Sequence, residues 1–282
     1  MHFGLILGAL ILAVLLRLYG WQPTATWSGR WQMAMGAFLV PPILVLVAAI
    51  AVVAMGSQGT MLGLSVGWLG YSLGLGFLGI AAGSLMYGAV QGWRSQRQVQ
   101  RYPVISVNNQ SGRLLDVPLL FAAQVGFWHS ELVVSQGLLD RLTQAQIAAI
   151  LAHEGAHLHY RDTFSFFWLG WVRQLTGWLP RSAQLWQELL LLRELRADRW
   201  AAQFVDPLEL AESLLLVVQA PLVDSPATAI TFNNHEILSR LEERVNALLS
   251  GQEMEIGDRS PTVKWLSILT ALLPLLTLPL HH

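Results

Sequence analysis

Leu151-Ala152-His153-Glu154-Gly155-Ala156-His157-Leu158-His159-Tyr160-Arg161-Asp162 contains H-E-x-x-H, and the residues before it read as a helix. Thr143 followed by Gln146 has capping-box spacing, and Ile147, Ile150, Leu151 and Leu158 recur at helical intervals. On such a helix His153 and His157 lie one turn apart on one face, so both imidazoles reach a single cation. Glu154 is turned about 100° away, placed to polarise a water on that cation rather than to bind it. Zinc suits two neutral imidazoles plus one carboxylate, with a fourth position left to water. The competing reading is a surface helix whose His and Glu merely face solvent.

A second element weighs against that alternative. Leu192-Arg193-Glu194-Leu195-Arg196-Ala197-Asp198-Arg199 lies in another helical stretch downstream. Glu194 can supply the third ligand. Asp198, one turn on, can accept a hydrogen bond from the free ring nitrogen of a ligand His and so fix its tautomer.

H-E-x-x-H followed downstream by E-x-x-x-D resembles the gluzincin branch of zinc peptidases. Within that branch the chain is similar to the integral-membrane families: the HtpX and CAAX prenyl protease type, and the BlaR/MecR antibiotic-sensor type. Glu131-Leu-Val-Val-Ser-Gln-Gly-Leu-Leu-Asp-Arg-Leu before the motif helix, and His159-Tyr-Arg-Asp162 closing it, carry the same resemblance. It implies zinc dependence and endopeptidase activity, and it names no substrate.

The composition agrees with a membrane setting. The chain is 54% hydrophobic and 12% charged, with a net charge of -1, which argues for a bilayer and against a nucleic-acid partner. Cysteine is absent, which removes disulfides, thiolate metal sites and a cysteine nucleophile.

Phe3 to Tyr19 is a nearly unbroken apolar run and reads as a first span. A cleaved signal peptide is the alternative, but the run lacks a basic leading region and a small-residue exit. Trp21, Trp27 and Trp31 follow as an expected interfacial belt. Met33 to Met55 makes a second span, with Pro41-Pro42 as a kink or a start just inside the bilayer. Met61 to Val90 makes a third, without charge, and its Gly63, Gly67, Gly70, Gly74, Gly79 and Gly83 predict close helix packing. Trp265 to Leu280 is a short fourth candidate, and the closing His281-His282 is kept out of the metal argument.

After Gln91 the chain turns polar. Tyr102 to Val107, Arg113 to Val117 and Leu132 to Ser135 are strand candidates, with Asn108-Asn109-Gln110-Ser111-Gly112 as a hairpin turn. The resemblance implies a small sheet whose edge pairs with an extended substrate, and residues near Phe121-Ala122-Ala123-Gln124 are the expected edge, with an ordinary core strand as the alternative. Phe164 to Trp178 reads as an interfacial or re-entrant helix, or else a buried core helix. Helices are expected over Ala183 to Phe204, over Leu208 to Gln219 ended by Ala220-Pro221, and over Ile237 to Leu249. His235 precedes Arg244-Val245-Asn246-Ala247-Leu248. In HtpX-like relatives a His so placed approaches the active site, so His235 is a candidate oxyanion donor, with a plain surface His as the alternative. His159 is off the ligand face.

The expected fold is therefore a membrane α+β protein, with about four transmembrane helices and a mainly helical zincin domain holding a small sheet. Residues 1–90 form a three-helix anchor, 91–262 the metallopeptidase, and 263–282 a C-terminal transmembrane helix. His153, His157 and Glu194 are expected to bind Zn²⁺, and Glu154 to act as general base in hydrolysis of a protein or peptide substrate. Other readings are a signalling protease that cleaves one regulator or itself, and a silent scaffold with structural zinc. Only two residues follow Leu280, so no sensor domain of the BlaR/MecR kind is expected, though a separate sensor subunit is compatible.

Charge sets the orientation. Arg94, Arg97 and Arg101 follow the third span, and Arg17 and Arg30 flank the first loop, while Gly56 to Thr60 is uncharged. The positive-inside rule then puts the 17–32 loop and the zinc domain in the cytoplasm, in a multi-pass protein of the cell membrane. An Asn109→Cys variant should resist membrane-impermeant thiol reagents in intact cells and react after lysis. Labelling in intact cells would reverse this topology.

Overall fold

The computed structural model describes residues 4–20, 26–57, 60–61, 64–65, 67–223 and 234–250. It is mostly helical with one small mixed sheet, and two compact units emerge from it. The first comprises Met1–Ala89 and Trp168–Leu192, and the second Val90–Phe167 and Arg193–Glu253. Trp168–Leu192, read from sequence as part of the 91–262 domain, thus groups with the first unit. The proposed last span, 263–282, lies outside the described residues.

In the first unit, α1 (Gly4–Tyr19) packs on α2 (Trp27–Met55). Ala13 and Val45 are buried together with Leu179, against Leu10, Val14 and Phe77. The second helix begins earlier than the apolar run, because Thr26 caps it by accepting a hydrogen bond from the Gly29 amide at 3.2 Å. That extension draws Trp27 and Trp31 inward. Both are buried and stacked at 5.5 Å, and the Trp27 indole donates to the Leu192 carbonyl at 3.1 Å. They form core rather than the expected interfacial belt, and Trp21 lies outside the described residues. Pro41 and Pro42 stand inside the helix and are buried.

A two-stranded ribbon, β1 (Thr60–Met61) and β2 (Leu64–Ser65), precedes α3 (Gly67–Val99). Arg94 and Arg97 therefore continue the third apolar helix, and the change of composition at Gln91 is not a helix end. Gly74 rests on Ala49 and Val53 of α2, as the small-residue spacing predicts, whereas Gly79 and Gly83 meet open space. α2 and α3 are each long and apolar enough to cross a membrane, and α1 is a shorter apolar helix.

In the second unit, β3 (Val104–Val107) and β4 (Gln110–Leu115) form a hairpin. Its turn is the pair Asn108-Asn109, both at positive φ (49° and 63°), which short polar side chains tolerate and which matches the strand twist. Gln110 to Gly112, expected in the turn, already pair as strand. β5 (Ala122–Val125) and β6 (Glu131–Ser135) complete the order β3-β4-β6-β5, with β4 parallel to β6 and the other pairs antiparallel. β5 is thus a sheet edge, where the Phe121–Gln124 reading had placed one.

α4 (Gln136–Arg141), α5 (Gln144–His159) and the start of α6 (Asp162–Thr176) follow, and then α7 (Ser182–Ala201), α8 (Pro207–Val223) and α9 (Asn234–Leu249). α8 runs through Pro221 instead of ending before it. One side of α5 packs under the sheet through Ile147, Ile150 and Leu151 against Leu132, Val134 and Leu138. Ala149 meets Leu210 and Leu214 of α8 and Leu241 of α9. The motif helix is clamped on two sides.

Ser135 fastens this core to the irregular segment before β5. Its Oγ accepts from the Leu138 amide at 3.2 Å and the Phe121 amide at 3.0 Å, and donates to the Leu119 carbonyl at 2.6 Å. Ser135→Ala leaves one buried and two partly buried backbone groups without this partner and should cost about 2 kcal/mol, lowering the midpoint of thermal unfolding in detergent. An unchanged midpoint would remove Ser135 from this role.

Candidate metal centre

The motif helix starts from a complete capping box. Thr143 Oγ1 accepts from the Gln146 amide at 3.2 Å, and Gln146 Oε1 accepts from the Thr143 amide at 3.0 Å. The register so set turns His153 and His157 to one face, and α7 brings Glu194 to the same place. Their donor atoms all lie within 4.8 Å of one another. His153 Nε2 is 3.2 Å from His157 Nε2 and 3.3 Å from Glu194 Oε2, while His157 Nε2 is 3.8 Å from Glu194 Oε1. Tetrahedral zinc with bonds of about 2.0–2.1 Å would have ligand–ligand edges of roughly 3.3–3.4 Å. The spacing fits.

The tautomers fit as well. Asp198 Oδ1 lies 2.8 Å from His153 Nδ1, and Asp162 Oδ2 lies 2.8 Å from His157 Nδ1. Each carboxylate favours the tautomer protonated on Nδ1, in which both Nε2 atoms carry lone pairs. Two lone pairs 3.2 Å apart repel, and only a cation or an extra proton reconciles them. Burial works against a charged His153, yet the carboxylates of Asp198 and Glu194 outweigh it and lift its pKa to about 9.

Behind each Asp stands an arginine. Arg244, on α9, donates from Nε to Asp198 Oδ2 at 2.7 Å and from Nη2 to Oδ1 at 2.8 Å, and its Nη1 lies 3.5 Å from Glu194 Oε2. Arg196 donates to Asp162 and lies over the Tyr160 ring at 4.0 Å. Arg161, at φ 52°, turns the chain between α5 and α6 so that Asp162 returns to His157. Burial raises the carboxyls of Glu194 and Asp198, but His153 and Arg244, joined at Glu194 by Arg193, more than reverse this and hold both below the usual range.

Glu154 behaves oppositely. It is buried beside the two imidazoles, and burial lifts its pKa above the ordinary value, offset in part by His153, His157 and the Gln124 amide. That amide donates to Glu154 Oε2 at 3.1 Å. The expected base is thereby tied to the edge strand β5.

Of the residues read from sequence, His153, Glu154, His157, Glu194 and Asp198 come together. His159 does not: it is exposed and stacks on Trp200 at 5.7 Å. His235 falls in the first turn of α9, with its side chain outside the described residues. Sequence reasoning missed the roles of Asp162, Arg196 and Arg244. The signal for Arg244 was its place among Leu241, Val245 and Leu248, the inward apolar stripe of α9.

The model of Peptidase family M48 matches this chain over residues 120–191. That segment includes β5, β6, the motif helix and Asp162, and stops short of Glu194. Protease HtpX from Legionella pneumophila strains Corby and Lens is 48% identical over 46 residues, 16% of this chain and 16% of each relative. The match therefore spans about one sixth of the curated relatives. No solved structure matches.

Both His–Asp–Arg chains meet the candidate centre at its imidazoles. Asp162→Asn, Asp198→Asn and Arg244→Ala should each weaken metal binding about 10- to 100-fold, measured by chelator competition on purified protein. Full affinity in any of these variants would exclude that residue from the centre.

Proposed function

We propose that this chain is a membrane-bound, zinc-dependent endopeptidase of the HtpX type. The observation carrying this reading is the pair of Nε2 atoms held 3.2 Å apart beside Glu194, with Glu154 next to His153 on the same helix. His153, His157 and Glu194 would hold the zinc, which supplies a Lewis acid and lowers the pKa of water at the site. The M48 match and the partial likeness to Protease HtpX support hydrolysis of peptide bonds.

The chain's own residues supply positioning and proton transfer. Among the described residues β5 pairs with β6 on one side only, and Gln124 sends its amide to Glu154. An extended protein or peptide substrate added along the outer edge of β5 would bring its carbonyl beside Glu154. Glu154 takes a proton as water oxygen attacks the carbonyl carbon, and returns it to the nitrogen as the C–N bond breaks. Its raised pKa suits a base that must also act as an acid.

The membrane setting rests on surface as well as hydropathy. Along α3, Trp68 is 72% exposed, and Ile80 and Met86 are 67% exposed, an apolar surface that water would penalise and lipid would cover. In this reading α1, α2, α3 and the segment Trp265 to Leu280 span the bilayer, with the zinc centre on the cytoplasmic side. Substrates are proteins or peptides, membrane proteins among them.

Glu154→Gln should abolish cleavage while keeping about one zinc per chain, because Glu154 is a base and not a ligand. His157→Ala or Glu194→Ala should lose both. Release of metal by Glu154→Gln, or activity surviving chelation, would overturn the reading.

A further inference from the structure

Past the end of β5 the chain makes a tight turn at Gly126, whose φ is 142° and where any side chain would collide with the His129 carbonyl. The turn presents Phe127 and Trp128. Phe127 meets Phe164 at 5.0 Å and Phe167 at 4.8 Å, and Trp128 meets Phe127 at 5.1 Å and Phe164 at 4.8 Å. Three half-buried rings thus back a fourth, Trp128, which is 69% exposed. An indole backed by other rings with its own surface open is a contact surface in waiting, not a core residue.

Two links tie the cluster to the metal centre. Gln124, whose amide marks Glu154, stands three residues before Phe127, so the rings follow the end of β5 one tight turn after the strand residue that contacts the base. Phe164 and Phe167 occupy the first turns of α6, the helix that opens with Asp162, the partner of His157. The cluster is therefore fixed by the same elements that orient the centre. A peptide lying along β5 would run onto it.

We propose that Phe127, Trp128, Phe164 and Phe167 form a specificity shelf that selects a large apolar side chain, aromatic or branched aliphatic, a few residues from the bond to be cut. The shelf rests on the peptidase reading and names the substrate class of that site. Its chemistry is ring-face contact and exclusion of water, so charged and small side chains lose at this position.

The test uses the full chain in detergent, loaded with zinc, and a peptide set varied one position at a time among Phe, Leu, Ser and Glu. Wild type should favour Phe and Leu over Ser by about tenfold or more in kcat/KM at one position near the cleaved bond. Trp128→Ala should collapse that ratio through KM, and Trp128→Phe should restore most of it. An unchanged ratio, or an equal loss on every peptide, would refute the shelf. Loss of vesicle association by Trp128→Ala with an intact ratio would assign the indole to lipid instead and would also refute it. Binding of the fluorescent Phe peptide to Glu154→Gln gives a readout without turnover. Trp128-dependent binding by a protein whose wild type cuts nothing would keep the shelf and reject the peptidase. Binding indifferent to Trp128 would reject the shelf.

Discussion

Two imidazole nitrogens facing each other at 3.2 Å, each with its far side engaged by a carboxylate, make an arrangement that the chain cannot satisfy with neutral groups alone. Much of the second unit serves to hold it. The capped helix α5 fixes the rotation of His153 and His157, the sheet and α8 clamp that helix from two sides, and α7 delivers Glu194 and Asp198. Packing and the outer carboxylates hold the two nitrogens at that distance, and a cation or a shared proton removes the repulsion between them.

The outer carboxylates are themselves a burden. Asp162 and Asp198 are almost fully buried, and an unpaired carboxylate there would cost several kcal/mol, on the order of 3–5 when a buried pair is broken. Arg196 and Arg244 remove that cost with direct hydrogen bonds. Each ligand imidazole is thus the inner end of a His–Asp–Arg chain. These charges contribute orientation more than stability, since a buried ion pair gains little over apolar packing. Among the described residues Glu154 meets the Gln124 amide and no arginine in direct hydrogen bonding, and its carboxyl rises where its neighbours' fall. Ligand and base are separated by what stands behind them.

The first unit follows a different rule. Its helices are apolar on most faces, and polar groups inside it are met one at a time. Arg17 is fully buried and donates to the Phe38 carbonyl at 3.1 Å with its guanidinium over the Phe38 ring, and Arg30 forks onto Glu188 at 2.7 and 3.1 Å. α2 buries much of its length while α3 leaves Trp68, Ile80 and Met86 open. Hydropathy alone treats these two helices alike.

What could be read from the chain was local. H-E-x-x-H puts two imidazoles on one face because the helix repeats every 3.6 residues or so, and Thr143 with Gln146 starts that helix through neighbouring backbone atoms. Glu194 and Asp198 were legible for the same reason, being one turn apart. Which imidazole Asp198 serves, and that Asp162 serves the other, depended on how α7 and the Arg161 corner approach α5. Arg244 lies 46 residues from Asp198, and no local periodicity announces a partner at that distance. That β5 is an edge was expected only through the family resemblance, because being an edge is a property of the sheet and not of the strand. Trp27 and Trp31 carry the composition of an interfacial belt, yet the Leu192 carbonyl and the surrounding helices bury them. Short-range periodicity and capping are written into the order of residues, while pairing, burial and charge compensation arise only when distant elements meet.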